Sequence, residues 1–508
     1  MSVVPEINVI KKDWRKVDLK VALCYPNVYR AGMSGLTVKL LYALINARED
    51  IACERFFIPT GRESLRSLES NQPLRKFDVV AFTLQYEEDY PNVIRMLIES
   101  GIPPRRNDRR EDDPLIIAGG PCATGNPEPL ADYIDLFVIG EAEPVIYSIL
   151  DEIKSFGCCR SRVEELADIR GVYLPDVSER AERVWIRNLD EALHPLAQQI
   201  PLVDDDSPYM PIFGKTFTLE VVRGCDRGCR FCLIGHTCRP KRDRSLEKLK
   251  SIIDEGLEYT PVNKVTLIGA SLFAYKHLED LCEYIVSRGL ELSVSSLSPE
   301  SITDRLAELI RLGGQRTVSI APDAANAEMW RVIGKGMSEE SILHAAETLL
   351  EHGIKQLKMY FLVGLPGETM EDIISIARLS RRIADLGYGL RSIHLSINPL
   401  IPKPHTPFER LGLSPISHLR ECLRIIRREL RGDGRFTISM LDPRHAQIQA
   451  LLSLGDRRVG SAIELAAKYG GGLGAWRRAI RECKIDLEEY IEGRRDGPLP
   501  WNKIKISP

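Results

Sequence analysis

The 508-residue chain has no apolar run of the roughly 18 residues that a membrane-spanning helix needs. Its opening, MSVVPEINVIKKDWRK, lacks the apolar core of a signal peptide. A cytoplasmic protein without a transmembrane segment is the expectation. An excess of one charge is missing too, with 69 Lys plus Arg against 72 Asp plus Glu and a net charge of -3. Strong general attraction to nucleic acid or anionic membrane is therefore not indicated. Histidine is scarce and uneven: of nine, the first is His194, so the opening third has none. No internal repeat and no low-complexity tract is present. What remains is an ordinary globular composition, 44% hydrophobic, long enough for two to four domains.

Two series of short apolar runs alternate with amphipathic stretches, the mark of strand-helix units and parallel sheets. In the first, VALCYP (21–26), CERFFIP (53–59), FDVVAFTLQ (77–85), PLIIAGGP (114–121) and YIDLFVIGEAEP (133–144) read as five strands of an α/β, doubly wound, flavodoxin-like domain over 1–155. Ligands sit beyond the carboxyl ends of such strands, which places Pro26–Ser34, Thr83–Tyr86, Gly119–Thr124 and Gly140–Glu143 around one crevice. Residues 156–211 read as a linker with a small hairpin formed by GVYLP and RVWIRN. A second series over 212–410 offers six strands, TFTLEVV, KVTLIGA, ELSVSSL, RTVSIAP, QLKMYFLVG and SIHLSINPLIP, and predicts a partial (β/α)6 barrel. Residues 411–508 read as helical and basic, with eighteen Lys plus Arg against twelve Asp plus Glu.

Of twelve cysteines, three cluster as Arg223-Gly-Cys-Asp-Arg-Gly-Cys-Arg-Phe-Cys232, directly after a predicted strand. A loop this short turns the thiols of Cys225, Cys229 and Cys232 toward one point, and Gly224 and Gly228 relieve its backbone. Three thiolates suit zinc with a fourth ligand from Cys238 or His236, or an iron-sulfur cluster with one open iron. The adjacent pair Cys158-Cys159 reads as structural.

CxxxCxxC, with the aromatic Phe231 before its last cysteine, resembles the radical S-adenosylmethionine (SAM) superfamily. The resemblance implies a 4Fe-4S cluster on Cys225, Cys229 and Cys232, with SAM chelating the fourth iron. Electron transfer then cleaves SAM to a deoxyadenosyl radical. It further implies SAM contacts from Phe231, from Gly269 in Leu267–Ser271 (a Gly-Gly-Glu-like stretch without its acidic residue), from Ser295 and Ser296, from Asp323 in an Ala-Pro-Asp variant of Ala-Pro-Glu, and from Gly364 in GLPGET.

Ala118–Ala123 and Val138–Glu143 resemble the cobalamin-binding type of domain that precedes many such barrels. On that resemblance Ser34, Thr83, Gly119, Gly120, Gly140 and Glu141 would contact cobalamin. The domain has no DxHxxG and no histidine, so it offers the cobalt no imidazole. More narrowly, Pro26–Ser34, Cys238–Arg244, Asn398–Phe408, Gly455–Arg458 and Leu499–Trp501 resemble one family of this type, which implies domains and cofactors but no substrate. In PKPHTPF, three prolines fix an extended loop at the barrel mouth and present Lys403 and His405 as candidate substrate contacts.

The function expected is a radical SAM enzyme performing cobalamin-assisted methyl transfer or C-C bond formation, served by an electron donor such as ferredoxin or flavodoxin. Modification of RNA or protein, with the basic tail docking the macromolecule, is a second reading. Its methylthiotransferase form is disfavoured, because three further N-terminal cysteines at second-cluster spacing are absent. A non-catalytic iron-sulfur or zinc protein is a third, although it would not need the strand-end set.

Overall fold

The computed structural model describes residues 4–61, 63–493 and 495–506. IACERFFI is buried at every position, as a strand covered on both faces must be. It is β2 (Ile51–Ile58) of a six-stranded sheet whose other members are β1 (Leu19–Val28), β3 (Val79–Thr83), β4 (Leu115–Gly119), β5 (Leu136–Val138) and β6 (Val172–Tyr173). The order is β2-β1-β3-β4-β5-β6, with parallel pairing except at β6. Chain order reverses between β1 and β3, so a crevice opens beyond the carboxyl ends of these strands.

The first sheet is closed at one edge by buried charge. Arg55 on β2 donates to Glu69 at 2.7 Å and to Glu6 at 2.6 Å, and all three side chains are at most 1% exposed. The guanidinium also lies over the Tyr42 ring, 4.5 Å from its centre. Glu6 sits on a two-residue strand, Glu6–Ile7, paired with Ile200–Pro201, so one charge cluster fastens the start of the chain to the sheet and to the segment that leads into the barrel.

The second sheet contains β7 (Phe217–Arg223), β8 (Lys264–Gly269), β9 (Glu291–Val294), β10 (Thr317–Asp323), β11 (Gln356–Val363) and β12 (Ile393–Pro399), at the six positions expected. The β7-β8-β9 and β10-β11-β12 groups are parallel and meet at a bridge between Leu297 and Ile320. A seventh strand, β13 (Phe436–Met440), pairs in parallel with β12 inside the stretch expected to be helical. Its five residues alternate apolar and polar, Phe436, Ile438 and Met440 packing on the core, but none is fully buried and the run is short, so it does not stand out between helices.

One further expectation is corrected. GVYLP and RVWIRN form no hairpin with each other: Val172–Tyr173 caps the first sheet, and Val184 bridges Gly140 in parallel, while Ala181–Glu182 between them pairs with Ile504–Lys505. The tail packs closely against the opening domain. Helix Pro443–Leu454 is buried on nearly every side, and the Asn126 amide donates to the carbonyls of Ser453 and Gly455. Tyr133 likewise donates to Gly460, and Arg457 and Arg458 pair with Asp176 and Glu489. Among the described residues, no helix is long and apolar enough to cross a membrane.

Removing one partner of a buried ion group strands the others without water. Glu69→Ala should therefore lower unfolding free energy by about 3–5 kcal/mol, read as an earlier denaturant midpoint. A loss below about 1 kcal/mol would show that Glu6 alone neutralises Arg55.

Candidate functional site

β7 ends at Arg223, and the chain must then reverse sharply. Gly224 has φ +83°, and a Cβ there would stand 2.2 Å from the Cys238 carbonyl oxygen, so only glycine lets the two ends of the loop cross. Cys225, Cys229 and Cys232 follow on this loop. The Ser271 hydroxyl, buried just past β8, donates to the Gly224 carbonyl at 2.8 Å. Arg230 N–H donates to Ile333 O at 2.9 Å, and Arg227 reaches the Ser298 hydroxyl at 2.6 Å. The loop is thus pinned from three barrel elements before any metal arrives.

The donor set fits a cluster better than a single ion. Tetrahedral zinc holds its sulfurs roughly 3.8 Å apart. The three loop sulfurs are not among the described groups whose ligand atoms all fall within 4.8 Å of one another. The fourth ligands that a zinc site would need are also engaged elsewhere. His236 Nε2 lies 3.1 Å from the Cys229 carbonyl, and Cys238 lines the cavity described below. Burial pushes the Cys229 thiol up to about 11 and raises Cys232 as well, with Cys225 adding to the latter. Unligated, they are held as thiols whose protons a metal must displace.

The strand ends around the loop carry the other expected SAM residues. Phe231 is half-buried against the barrel core. A Cβ on Gly269 would meet the Val222 carbonyl at 2.9 Å, and one on Gly364, at φ +80°, would meet Ser414 Oγ at 2.8 Å. Strand and helix packing therefore fills the space that both glycines leave. Ser295 is half-buried and Ser296 exposed, just past β9. Asp323 is buried in the left-handed region at φ +61°, and its carboxylate is taken by Lys335 Nζ at 2.5 Å. Lys335 also donates to the Ala321 carbonyl and faces Cys229.

Beyond the carboxyl ends of the first sheet lies a largely apolar cavity of about 350 Å³. Thr83, Gly119, Gly120, Gly140 and Glu141 line it, joined by Thr37, Gln85 and Thr124. The opposite wall belongs to the barrel: Glu220, Arg223, Ile234, Thr237, Cys238 and Ile268. Ser34 is elsewhere, donating to Arg30 O and accepting the Ile212 N–H at 2.7 Å. Gly120 and Gly140 are required by chain crossings, since a Cβ would strike Leu84 O at 2.6 Å and Val184 O at 2.1 Å. No histidine lines the cavity among the described residues.

Glu141 is not free for a ligand. It accepts from Arg223 at 2.9 Å and from Arg242 at 2.8 Å. Arg223 also reaches Glu143 at 2.8 Å and Glu220 at 2.9 Å, while Arg244 pairs with Glu220 at 3.3 Å. Burial alone would raise Glu220, but Arg223 and Arg244 more than offset it and hold the carboxyl below its usual range. His194 Nε2 accepts the Glu220 N–H at 3.2 Å, and burial beside Arg244 drives that imidazole down to about 3, so it is neutral.

Lys403 and His405 are likewise committed between domains. Lys403 pairs with buried Glu87 at 2.5 Å, and His405 Nε2 lies 3.0 Å from the Gly125 carbonyl with burial lowering its pKa to about 4. PKPHTPF thus bridges the two domains, and both side chains are engaged by protein partners.

A surface that sequence reasoning missed lines the barrel. In β11 and β12, Leu357, Met359, Phe361, Leu395 and Ile397 are buried in the helix-covered core. The alternate residues Lys358, Tyr360, His394, Ser396 and Asn398 therefore face the lumen. Register places Ser319, Lys358, His394 and Thr437 in one layer, and Tyr360, Ser396 and Ser439 in the next. His394 bridges the Thr437 and Ser439 hydroxyls at 2.8 and 2.9 Å. The period-two pattern of QLKMYFLV was the available signal.

A family model described as "Radical SAM superfamily" matches residues 219–380, and one described as "Radical SAM proteins, N-terminal" matches 37–175. An uncharacterized protein of Methanocaldococcus jannaschii is 32% identical over 497 residues, covering 96% of this chain and 99% of the relative. The chain belongs to the radical SAM superfamily. Membership makes it an enzyme and brings a 4Fe-4S cluster and SAM as its cofactors. Two solved radical SAM proteins share the fold across nearly the whole chain. The methyltransferase TsrM from Kitasatospora setae, solved with cobalamin and a 4Fe-4S cluster, matches 92% of this chain and 99% of its own at TM-score 0.54 and 16% identity. The cobalamin-dependent enzyme OxsB, solved with aqua-cobalamin, matches 93% and 72% at TM-score 0.55 and 14% identity.

Arg223→Met should remove the cation shared by Glu141, Glu143 and Glu220 and cost about 3–5 kcal/mol in chemical denaturation. Exposed Arg428→Met, whose pairing with Glu429 is solvated, should cost less than about 1 kcal/mol. Equal losses would show that the interdomain cluster adds no cohesion.

Proposed function

We propose that this radical SAM enzyme uses cobalamin to carry a methyl group to a substrate held in the barrel lumen. The observation that carries the reading is the shared wall: the cavity at the carboxyl edge of the first sheet is closed by Ile234, Thr237 and Cys238, which follow immediately on the cluster loop. A cofactor seated in the cavity and a cluster on the loop would then sit on neighbouring faces of one short segment. That TsrM and OxsB, which share the fold, were solved with cobalamin supports the assignment.

In this reading Cys225, Cys229 and Cys232 hold the cluster, with Lys335 and Arg227 offsetting the negative charge of their thiolates. SAM lies over the loop against Phe231, the serines after β9 and the turns after β8 and β11. When bound, these groups supply one-electron cleavage of SAM and transfer of a methyl group. The chain positions and shields them. Its buried ion clusters keep the two domains closed around the crevice and so limit water. Thr37, Thr83, Gln85 and Thr124 offer hydrogen bonds in a largely apolar cavity whose charged residues pair with one another, and among the described residues no imidazole is offered to cobalt. The lumen layer of Lys358, His394, Ser319 and Thr437 suits a substrate carrying polar or anionic groups. A ferredoxin- or flavodoxin-like donor in the cytoplasm would supply electrons.

Anaerobically reconstituted protein should take up four irons and, with reductant and SAM, release deoxyadenosine or S-adenosylhomocysteine. Alanine at Cys225, Cys229 or Cys232 should abolish the brown chromophore, and Cys158→Ala should leave it. Hydroxocobalamin titration should saturate at one corrin per chain, and Ala142→Trp, which fills the cavity, should abolish that binding without altering iron content. Cluster-loaded protein that binds no corrin at any concentration would defeat the cobalamin assignment.

A further inference from the structure

A second cluster of metal-ligand side chains lies away from both the cysteine loop and the interdomain cavity. Glu368 is on the turn after β11, and His418 and Cys422 are on helix Ile416–Glu429. Among the described residues they form the one group of three His, Cys, Asp or Glu side chains whose ligand atoms all lie within 4.8 Å of one another. His418 Nε2 is 3.5 Å from Cys422 Sγ and 3.8 Å from Glu368 Oε2. Nitrogen, oxygen and sulfur around tetrahedral zinc stand roughly 3.3–3.6 Å apart, so the two contacts of His418 are already near that spacing, and Glu368 and Cys422 stand within 4.8 Å of each other.

The positions are built by the fold. Residues four apart on a helix share a face, which sets His418 above Cys422. Glu368 Oε2 already accepts the Gly364 N–H at 2.6 Å, an orienting contact of the kind that metal-bound carboxylates keep. The turn is fixed to the segment entering the helix, because Ser414 Oγ donates to the Gly364 carbonyl at 3.2 Å. The site is also shielded from water. The Glu368 side chain is 3% exposed and Cys422 is fully buried, with no Lys or Arg of the described residues in ion-pair reach of Glu368. A bound cation would displace the thiol proton and meet a carboxylate that no other cation holds. His418, 28% exposed, leaves a path for an ion to enter.

We propose that Glu368, His418 and Cys422 bind a zinc ion that ties the turn after β11 to helix Ile416–Glu429, with the fourth position open to water past His418. The site shares no residue with the cysteine loop or the interdomain cavity, and it does not rest on the cobalamin reading.

The probe is Co²⁺, added anaerobically to metal-stripped full-length protein in which Cys225, Cys229 and Cys232 are Ala, so that the loop cannot compete. One Co²⁺ per chain is expected, with a near-ultraviolet thiolate charge-transfer band and tetrahedral visible bands, all displaced by Zn²⁺. His418→Asn and Cys422→Ser should abolish the saturable bands. Because the triple alanine protein is itself altered, the cluster-loaded chain provides a second measurement. Its zinc content by mass spectrometry should be one per chain and should fall to near zero in His418→Asn, with iron unchanged at four. Absence of cobalt uptake, or uptake of equal affinity in both variants together with unchanged zinc content, would overturn the site.

Discussion

Arg223 is the residue on which the two halves of the molecule depend. It ends the first barrel strand, directly precedes Gly224 and Cys225, and is gripped by one carboxylate of its own strand and two of the opening domain. Three anions around one guanidinium would repel if the cation were removed, and burial would deny them water. Arg242 and Arg244 complete the balance at Glu141 and Glu220, so the network approaches neutrality without solvent. The same side chain therefore closes the domain interface, lines the cavity and sets where the cysteine loop begins. Few substitutions at this position would be local in effect.

A second fastening lies across the cavity. Buried Glu87 holds Lys403 from the loop at the barrel mouth and accepts from Gln449 of the tail, so one carboxylate joins all three parts of the chain. Burial pushes the Glu87 carboxyl upward, but the Lys403 ammonium outweighs it and keeps the group ionised. His405 beside it is lowered by burial and remains neutral. The proline-rich loop thus acts as a strut, and its fixed φ angles suit a segment that must cross between domains without sagging.

How far the sequence speaks depends on the range of the interaction. The five parallel strands and the six barrel strands are legible because burial on both faces, or alternation beneath helices, leaves a local pattern. The cysteine loop is legible because its spacing is local too. Strand β13 is not, since FTISM buries little, and its place is set by pairing with Ile393–Ile397. Lys403, His405 and Glu141 carry the chemistry of ligand contacts, yet each is satisfied by a partner distant in sequence. Glycines at 120, 140, 269 and 364 have a structural reason to be glycine that the sequence did not display: the side on which a Cβ would stand is filled by neighbouring protein atoms.

The cavity and the lumen differ in polarity because they arise from different sheet faces. The cavity is walled by strand ends and helix faces whose residues were already apolar for packing, and its polar groups are scattered hydroxyls and amides together with the ion-paired Glu141, Glu143, Glu220 and Arg223. The lumen is lined by the alternate residues of strands whose other face forms the core, so it can be polar at no cost to packing. The cysteine loop leads directly into the cavity wall at Ile234, Thr237 and Cys238. Chemistry begun on the loop would therefore act at the edge of the cavity, with the interdomain ion pairs beside it holding out water.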